Sequence, residues 1–168
     1  LPAPSKSTVH PEFLSRRYEG ADVPVQNPSF AEFTARLDAA GVKVFDPAPA
    51  LAAMDGPPAY LATDTHWTPE AAVRTAQALA ELLSREPGIG RSAETRYTAT
   101  EVSVTNTGDV AAMLKLPGVE GFYAPESVTL RQIRDSDGAL WQPDHTADIL
   151  FLGDSFSNIY SLAGMGFG

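Results

Sequence analysis

Two short segments bring together residue types that do nucleophilic chemistry. The first is Thr63-Asp64-Thr65-His66-Trp67-Thr68-Pro69, and the second is Phe151-Leu152-Gly153-Asp154-Ser155-Phe156. A serine hydroxyl is a poor nucleophile at neutral pH without a base beside it. His66 is the candidate base, and Asp64 two residues earlier can fix its tautomer and stabilise the imidazolium. Ser155 follows an apolar run and a tight turn, the kind of strand end at which α/β folds place their sites. A helix starting at or just after it would aim backbone N–H groups and its dipole at a developing oxyanion.

Plainer readings compete. Gly-Asp-Ser alone is a common turn, and Asp-x-His before a helix can be a hydrogen-bonded turn without chemistry. A metal centre built from Asp64, His66, Asp154, Asp144 and His145 is the weaker reading, because no second histidine sits at a ligand spacing. His145 lies in the polar turn Gln142-Pro143-Asp144-His145-Thr146 and reads as a solvated loop residue; His10 before Pro11 reads as structural. Trp67 suits either a sugar-stacking platform or a buried aromatic at a helix entry.

The elements that must hold these residues follow from pattern. Residues 1–10 read as a strand end running into a Pro-rich turn. Asn27-Pro28-Ser29 offers turn and cap chemistry ahead of Phe30, Phe33, Leu37 and Ala40, so residues 29–40 read as an amphipathic helix stopped by Gly41. Val42, Val44 and Phe45 then suggest a short buried strand, giving an α/β unit of the kind that builds parallel sheets. The strongest helix expectation is 68–85. Thr68 suits the N-cap, Pro69 the first helical position and Glu70 the positive end of the dipole. Ala72, Ala76, Leu79, Ala80 and Leu83 are its expected inward stripe. The alternation Tyr97–Val104 indicates an antiparallel insertion over about 92–140, with a short helix near 108–115. Ala147–Leu152 is expected as a buried strand leading to Ser155.

Composition narrows the partners. The 168 residues fit one domain, with 12 Lys and Arg against 21 Asp and Glu, a net charge of −9. That balance excludes nucleic acid as the default partner, since phosphate binding needs clustered cations. It also disfavours charge-driven docking on an anionic membrane. No apolar run approaches the length of a bilayer-spanning helix. With no cysteine in the chain, disulfides, zinc-thiolate sites and cysteine nucleophiles are excluded.

The pair Asp64-Thr65-His66-Trp67-Thr68-Pro69-Glu70-Ala71 and, far downstream, Gly153-Asp154-Ser155-Phe156-Ser157 resembles the SGNH-hydrolase-like polysaccharide O-acetyltransferases typified by the alginate O-acetyltransferases. Ordinary SGNH hydrolases carry Gly-Asp-Ser near the N-terminus and Asp-x-x-His near the C-terminus. Here the order is reversed and the spacing is Asp-x-His, both features of the circularly permuted acetyltransferase branch. Pro2-Ala3-Pro4-Ser5-Lys6 and Gly41-Val42-Lys43-Val44-Phe45-Asp46 also look like that family's strand ends.

The resemblance implies one SGNH-like catalytic domain over 1–168, an α/β/α three-layer sandwich around a mainly parallel sheet with the β-rich insertion. It implies Ser155 as nucleophile, His66 as general base and acid, and Asp64 as its orienting partner, with neither cofactor nor metal. The implied reaction is acetyl transfer through an acetyl-serine to a polysaccharide hydroxyl. Its acetyl comes from a membrane-bound acyltransferase, in the periplasm or anchored facing it. An oxyanion hole of this type takes the nucleophile's N–H plus a Gly and an Asn from the next two strands. Those are expected beyond Gly168, so the chain is expected to be a fragment. Asn106-Thr107-Gly108-Asp109 is read as a turn rather than a substitute donor. Two rivals remain: an SGNH esterase using the same triad with water, and a non-catalytic glycan-binding module, against which the intact Asp64, His66 and Ser155 count. The acidic charge makes a neutral or cationic glycan at least as compatible as a polyanion.

Overall fold

A computed structural model describes residues 1–20, 25–89 and 97–168. At the N-terminus, where a strand end was expected, the chain forms two single-turn helices, α1 (Lys6–Val9) and α2 (Pro11–Leu14). The local chemistry explains the difference. Ser5 Oγ accepts from the Thr8 N–H at 3.2 Å, an N-cap that an extended strand cannot use. Pro11 sits where a helix needs no N–H.

Helix α3 (Phe30–Ala39) ends as its sequence indicates. Gly41 adopts φ 79°, and the Val42 N–H closes on the Leu37 carbonyl at 2.9 Å. The single turn α4 (Ala48–Ala52) starts where Asp46 Oδ1 accepts from the Ala48 N–H at 2.9 Å. Helix α5 (Pro69–Leu83) begins as expected, with Thr68 Oγ1 accepting from the Ala71 N–H at 3.3 Å. Its inward side differs. Ala71 and Thr75 are the buried positions after Pro69, while Ala76 and Ala80 face solvent. The helix docks by its N-terminal turns on the core, and of the expected stripe Ala72, Leu79 and Leu83 are half-buried.

Strands β1 (Thr98–Asn106) and β2 (Glu126–Arg134) pair antiparallel, with Thr98 opposite Arg134, Val102 opposite Leu130 and Asn106 opposite Glu126. The alternation starting at Tyr97 is therefore a strand, and α6 (Asp109–Met113) is the short helix inside the same stretch. Residues 92–96 of the expected insertion lie outside the described residues. The final single-turn helix is α7 (Ser155–Asn158), capped by Asp154, whose Oδ1 accepts from the Phe156 N–H at 3.0 Å.

The mainly parallel sheet is a correction. Among the described residues the sheet is this two-stranded antiparallel ladder alone. Residues 42–45 and 147–152 run without ladder bonds, and Leu150 and Leu152 are 81% and 85% exposed. A parallel strand is stable only between neighbours brought in by crossovers. Among the described residues neither segment has such a neighbour.

Leu51, Ala59, Tyr60, Leu61, Trp67, Ala71, Ile159 and Phe167 form the core together with Val9. The two halves of the chain that carry the candidate chemistry thus meet in one apolar cluster. Among the described residues no helix is long and apolar enough to cross a membrane.

Candidate active site

Asp64 and His66 sit on a tight loop between Tyr60 and Trp67, which bridge each other. The Leu61 N–H donates to the His66 carbonyl at 3.1 Å, and the Thr68 N–H to the Ala59 carbonyl at 2.9 Å. The loop therefore runs straight into the cap of α5. Both side chains are buried: Asp64 is 2% exposed and His66 4%.

Asp64 Oδ1 lies 2.6 Å from His66 Nδ1 and also accepts the His66 backbone N–H at 2.9 Å. Its Oδ2 accepts the Asp109 N–H at 2.8 Å. Burial pulls the Asp64 carboxyl upward, but these donors outweigh it and hold the group below the usual carboxylate range. An ionised carboxylate only accepts, so Nδ1 carries the proton. His66 Nε2 is left with a free lone pair, buried and without a partner. That is the tautomer a general base needs.

Ser155 is exposed at the first position of α7. The next residue, Phe156, packs its ring against the imidazole at a tilt of 57°, with centroids 4.8 Å apart. The Trp67 indole N–H donates to the Phe156 carbonyl at 3.0 Å, and the Tyr160 hydroxyl to the Trp67 carbonyl at 2.6 Å. Burial pushes the Tyr160 phenol up, keeping it a donor. Two hydrogen bonds and the tilted ring contact thus tie α7 and Tyr160 beside the Asp64–His66 loop, although the Ser155 hydroxyl does not bond Nε2. Trp67 is buried as a strut between the two segments.

The remaining candidates fall elsewhere. His10 is structural: its Nε2 accepts the Ala59 N–H at 2.9 Å. Asp144 and His145 lie in an exposed turn, and Asp154 caps α7. Among the described residues the close His and carboxylate cluster is Asp64, His66 and Asp109. Its carboxylates already face N–H and O–H donors, a pattern suited to holding a loop rather than a cation. The Asn106–Asp109 segment directs its N–H groups into that loop: Gly108 donates to Thr63 Oγ1 at 3.2 Å and Asp109 to Asp64.

Two residues escaped the sequence reading. Glu126, at the start of β2, accepts from the Ala62 N–H, the Thr63 N–H and Thr63 Oγ1 at 2.9, 2.8 and 2.7 Å. Lys6 Nζ donates to the Leu61 carbonyl at 2.5 Å. Burial lowers the Lys6 ammonium against the upward pull of Asp64, Glu126 and Asp109. Neither lies near the motif in sequence, so no local signal marks them.

Glu126 makes a testable contribution. Burial raises its carboxyl, yet its three donors and Lys6 hold it below its ordinary 4.5. A group depressed in the folded state stabilises it above the unfolded pKa, and that gain is lost as pH falls through the folded value. Glu126→Gln is therefore expected to lower the urea midpoint at pH 7, with the gap to wild type closing in acid below the folded pKa. A gap that persists unchanged there would assign the effect to packing.

Residues 1–165 match the family model described as the SGNH hydrolase-like domain of the acetyltransferase AlgX. The chain belongs to this family. Among its relatives, a probable alginate O-acetylase AlgJ of Pseudomonas aeruginosa is 28% identical over 130 residues, covering 77% of this chain and 32% of that protein. The corresponding Pseudomonas putida protein is 28% identical over 163 residues, covering 92% and 41%. The O-acetyltransferase domain of Pseudomonas putida AlgJ superposes with a TM-score of 0.59 at 26% identity, over 80% of this chain and 48% of that one. Pseudomonas aeruginosa AlgX superposes with a TM-score of 0.59 at 21% identity, over 81% and 33%. The SGNH-like fold is thereby shared, and this family member spans 32% to 48% of the length of the proteins it matches.

Proposed function

We propose that this SGNH-like domain transfers acetyl groups to hydroxyls of an exported polysaccharide through an acetyl-serine at Ser155. The observation that carries the reading is the buried Asp64–His66 pair, with Nδ1 held by Asp64 and Nε2 free, beside the helix that begins at Ser155. In the first step Ser155 Oγ attacks the donor's acetyl carbon while Nε2 takes the hydroxyl proton. The donor's leaving group departs with that proton. In the second step a glycan hydroxyl attacks the acetyl-serine, loses its proton to Nε2, and the proton returns to Ser155 Oγ. The Ser155–Nε2 bond forms on substrate binding, since catalytic hydrogen bonds commonly tighten only in the Michaelis complex.

The acceptor is a polysaccharide, as the names of the AlgJ relatives suggest for those proteins. The net charge of −9 leaves a neutral or cationic glycan at least as compatible as a polyanion, which would need a local basic groove. A membrane-bound acyltransferase supplies acetyl, and the domain works in the periplasm or anchored facing it.

Partition tests transfer against hydrolysis. Incubated with a soluble acetyl ester and oligosaccharides of differing charge, the protein is expected to acetylate sugar in preference to releasing acetate. Acetate as the sole product with every acceptor would make it an esterase with the same triad.

A further inference from the structure

The loop that carries Asp64 and His66 is held from the start of α6, forty-odd residues away. Four groups on Gly108, Asp109 and Ala111 engage it. The Gly108 N–H donates to Thr63 Oγ1 at 3.2 Å, and the Asp109 N–H to Asp64 Oδ2 at 2.8 Å. The Ala111 N–H donates to the Thr63 carbonyl at 3.1 Å. The Asp109 carboxylate answers in the other direction, accepting the Thr65 N–H at 2.7 Å and Thr65 Oγ1 at 3.0 and 2.8 Å. The approach is as close as a backbone permits. A Cβ on Gly108 would lie 2.2 Å from the Thr63 carbonyl oxygen, so only glycine fits there.

This contact matters chemically because the terminal torsion of a carboxylate is soft. The His66 N–H and ring hold one oxygen of Asp64. The Asp109 N–H holds the other, and two-point fixation sets the plane of the carboxylate against the imidazole. The Asp109 side chain meanwhile pins Thr65, the residue between Asp64 and His66. One residue therefore controls both the carboxylate and the backbone that joins it to the base.

We propose that Asp109 is a positioning residue for acetyl transfer, keeping the Asp64 carboxylate in line with His66 by docking α6 on the Thr63–Thr65 loop. The proposal rests on the reading of Ser155, His66 and Asp64 as the reacting set. The hydrogen bonds of Asp109 go to Asp64 and Thr65, so it acts through the residues that carry and orient the base.

The test uses the full chain, a soluble acetyl ester as donor, and two readouts. One is the split between kcat and KM. The other is the far-downfield proton resonance of His66 Nδ1–H bonded to Asp64, which is independent of turnover. Asp109→Ala is expected to lower kcat by about 10²-fold, the scale of a 1 Å misplacement, with donor KM unchanged and the resonance shifted or broadened. Asp109→Asn keeps an acceptor for Thr65 and is expected to recover most of the loss. Thr65→Val removes one of the two donors from an exposed position and is expected to give a smaller fall in kcat. An Asp109→Ala protein with wild-type kcat and resonance, and only a lower denaturation midpoint, would reduce Asp109 to a structural strut. Should that variant not fold, wild-type kcat in both Asp109→Asn and Thr65→Val together with an unmoved resonance overturns the proposal. A Ser155→Ala control that stays active would instead remove the acetyl-serine reading. The resonance would then decide Asp109 alone: unmoved in Asp109→Ala or, if that does not fold, in Asp109→Asn and Thr65→Val, it sinks the proposal.

Discussion

Ser155→Ala is expected to abolish acetyl-enzyme formation and to lower kcat by about 10⁶-fold, the loss seen when a triad nucleophile is removed. The fold should be untouched. Ser155 is exposed, and the bond it contributes to α7 comes from its backbone carbonyl, which accepts the Ile159 N–H at 2.9 Å. Alanine keeps that bond and the Asp154 cap. Phe156, which holds α7 against His66 and Trp67, is likewise unaffected. Intact-mass measurement after brief exposure to an acetyl ester checks the prediction directly. Wild type should gain one acetyl group, mapped to the peptide containing Ser155, and the variant none. An alanine variant that still gained acetyl and turned over would place the nucleophile elsewhere and leave Asp64 and His66 as a buried structural pair.

What the sequence revealed and what it hid divide along the range of the interactions. The start of α5 is written in three adjacent residues, Thr68, Pro69 and Glu70, and the cap forms as those residues require. The Asp64–His66 bond spans two residues and is equally local. The alternation of β1 needs only its own period, and β2 meets it in register. The errors arise where a distant partner decides. Val42–Phe45 and Ala147–Leu152 have strand composition, but strand propensity is realised only against neighbours. The inward side of α5 is set by where Ala71 and Thr75 meet the core, which the helix's own periodicity does not specify. Asp109 and Glu126 lie 44 and 63 residues from the loop atoms they grip. Their contribution is invisible until the hairpin is folded over the loop. Gly108 was legible as a turn glycine, whereas its contact with the Thr63 carbonyl was not.

Asp64→Asn is expected to fold and to lose about 10⁴-fold in kcat, because the substitution inverts the hydrogen-bonding polarity that selects the tautomer. Three donors converge on the carboxylate: the His66 N–H, His66 Nδ1–H and the Asp109 N–H. An asparagine has a single acceptor oxygen and an NH₂ that only donates. If the oxygen stays toward His66, the NH₂ confronts the Asp109 N–H, and one donor pair loses its bond. If the oxygen turns to Asp109, the NH₂ faces the ring, Nδ1 has to accept, and the proton moves to Nε2. That atom then no longer has the lone pair that takes the Ser155 proton. Either arrangement also removes the negative charge that stabilises the imidazolium formed during both acetyl transfers. The loss should therefore fall on kcat rather than on donor KM, and the downfield Nδ1–H resonance should disappear while thermal unfolding stays cooperative. An Asp64→Asn protein within about tenfold of wild type would mean that His66 takes its proton without an orienting carboxylate, at odds with the cost of that change in serine-triad enzymes.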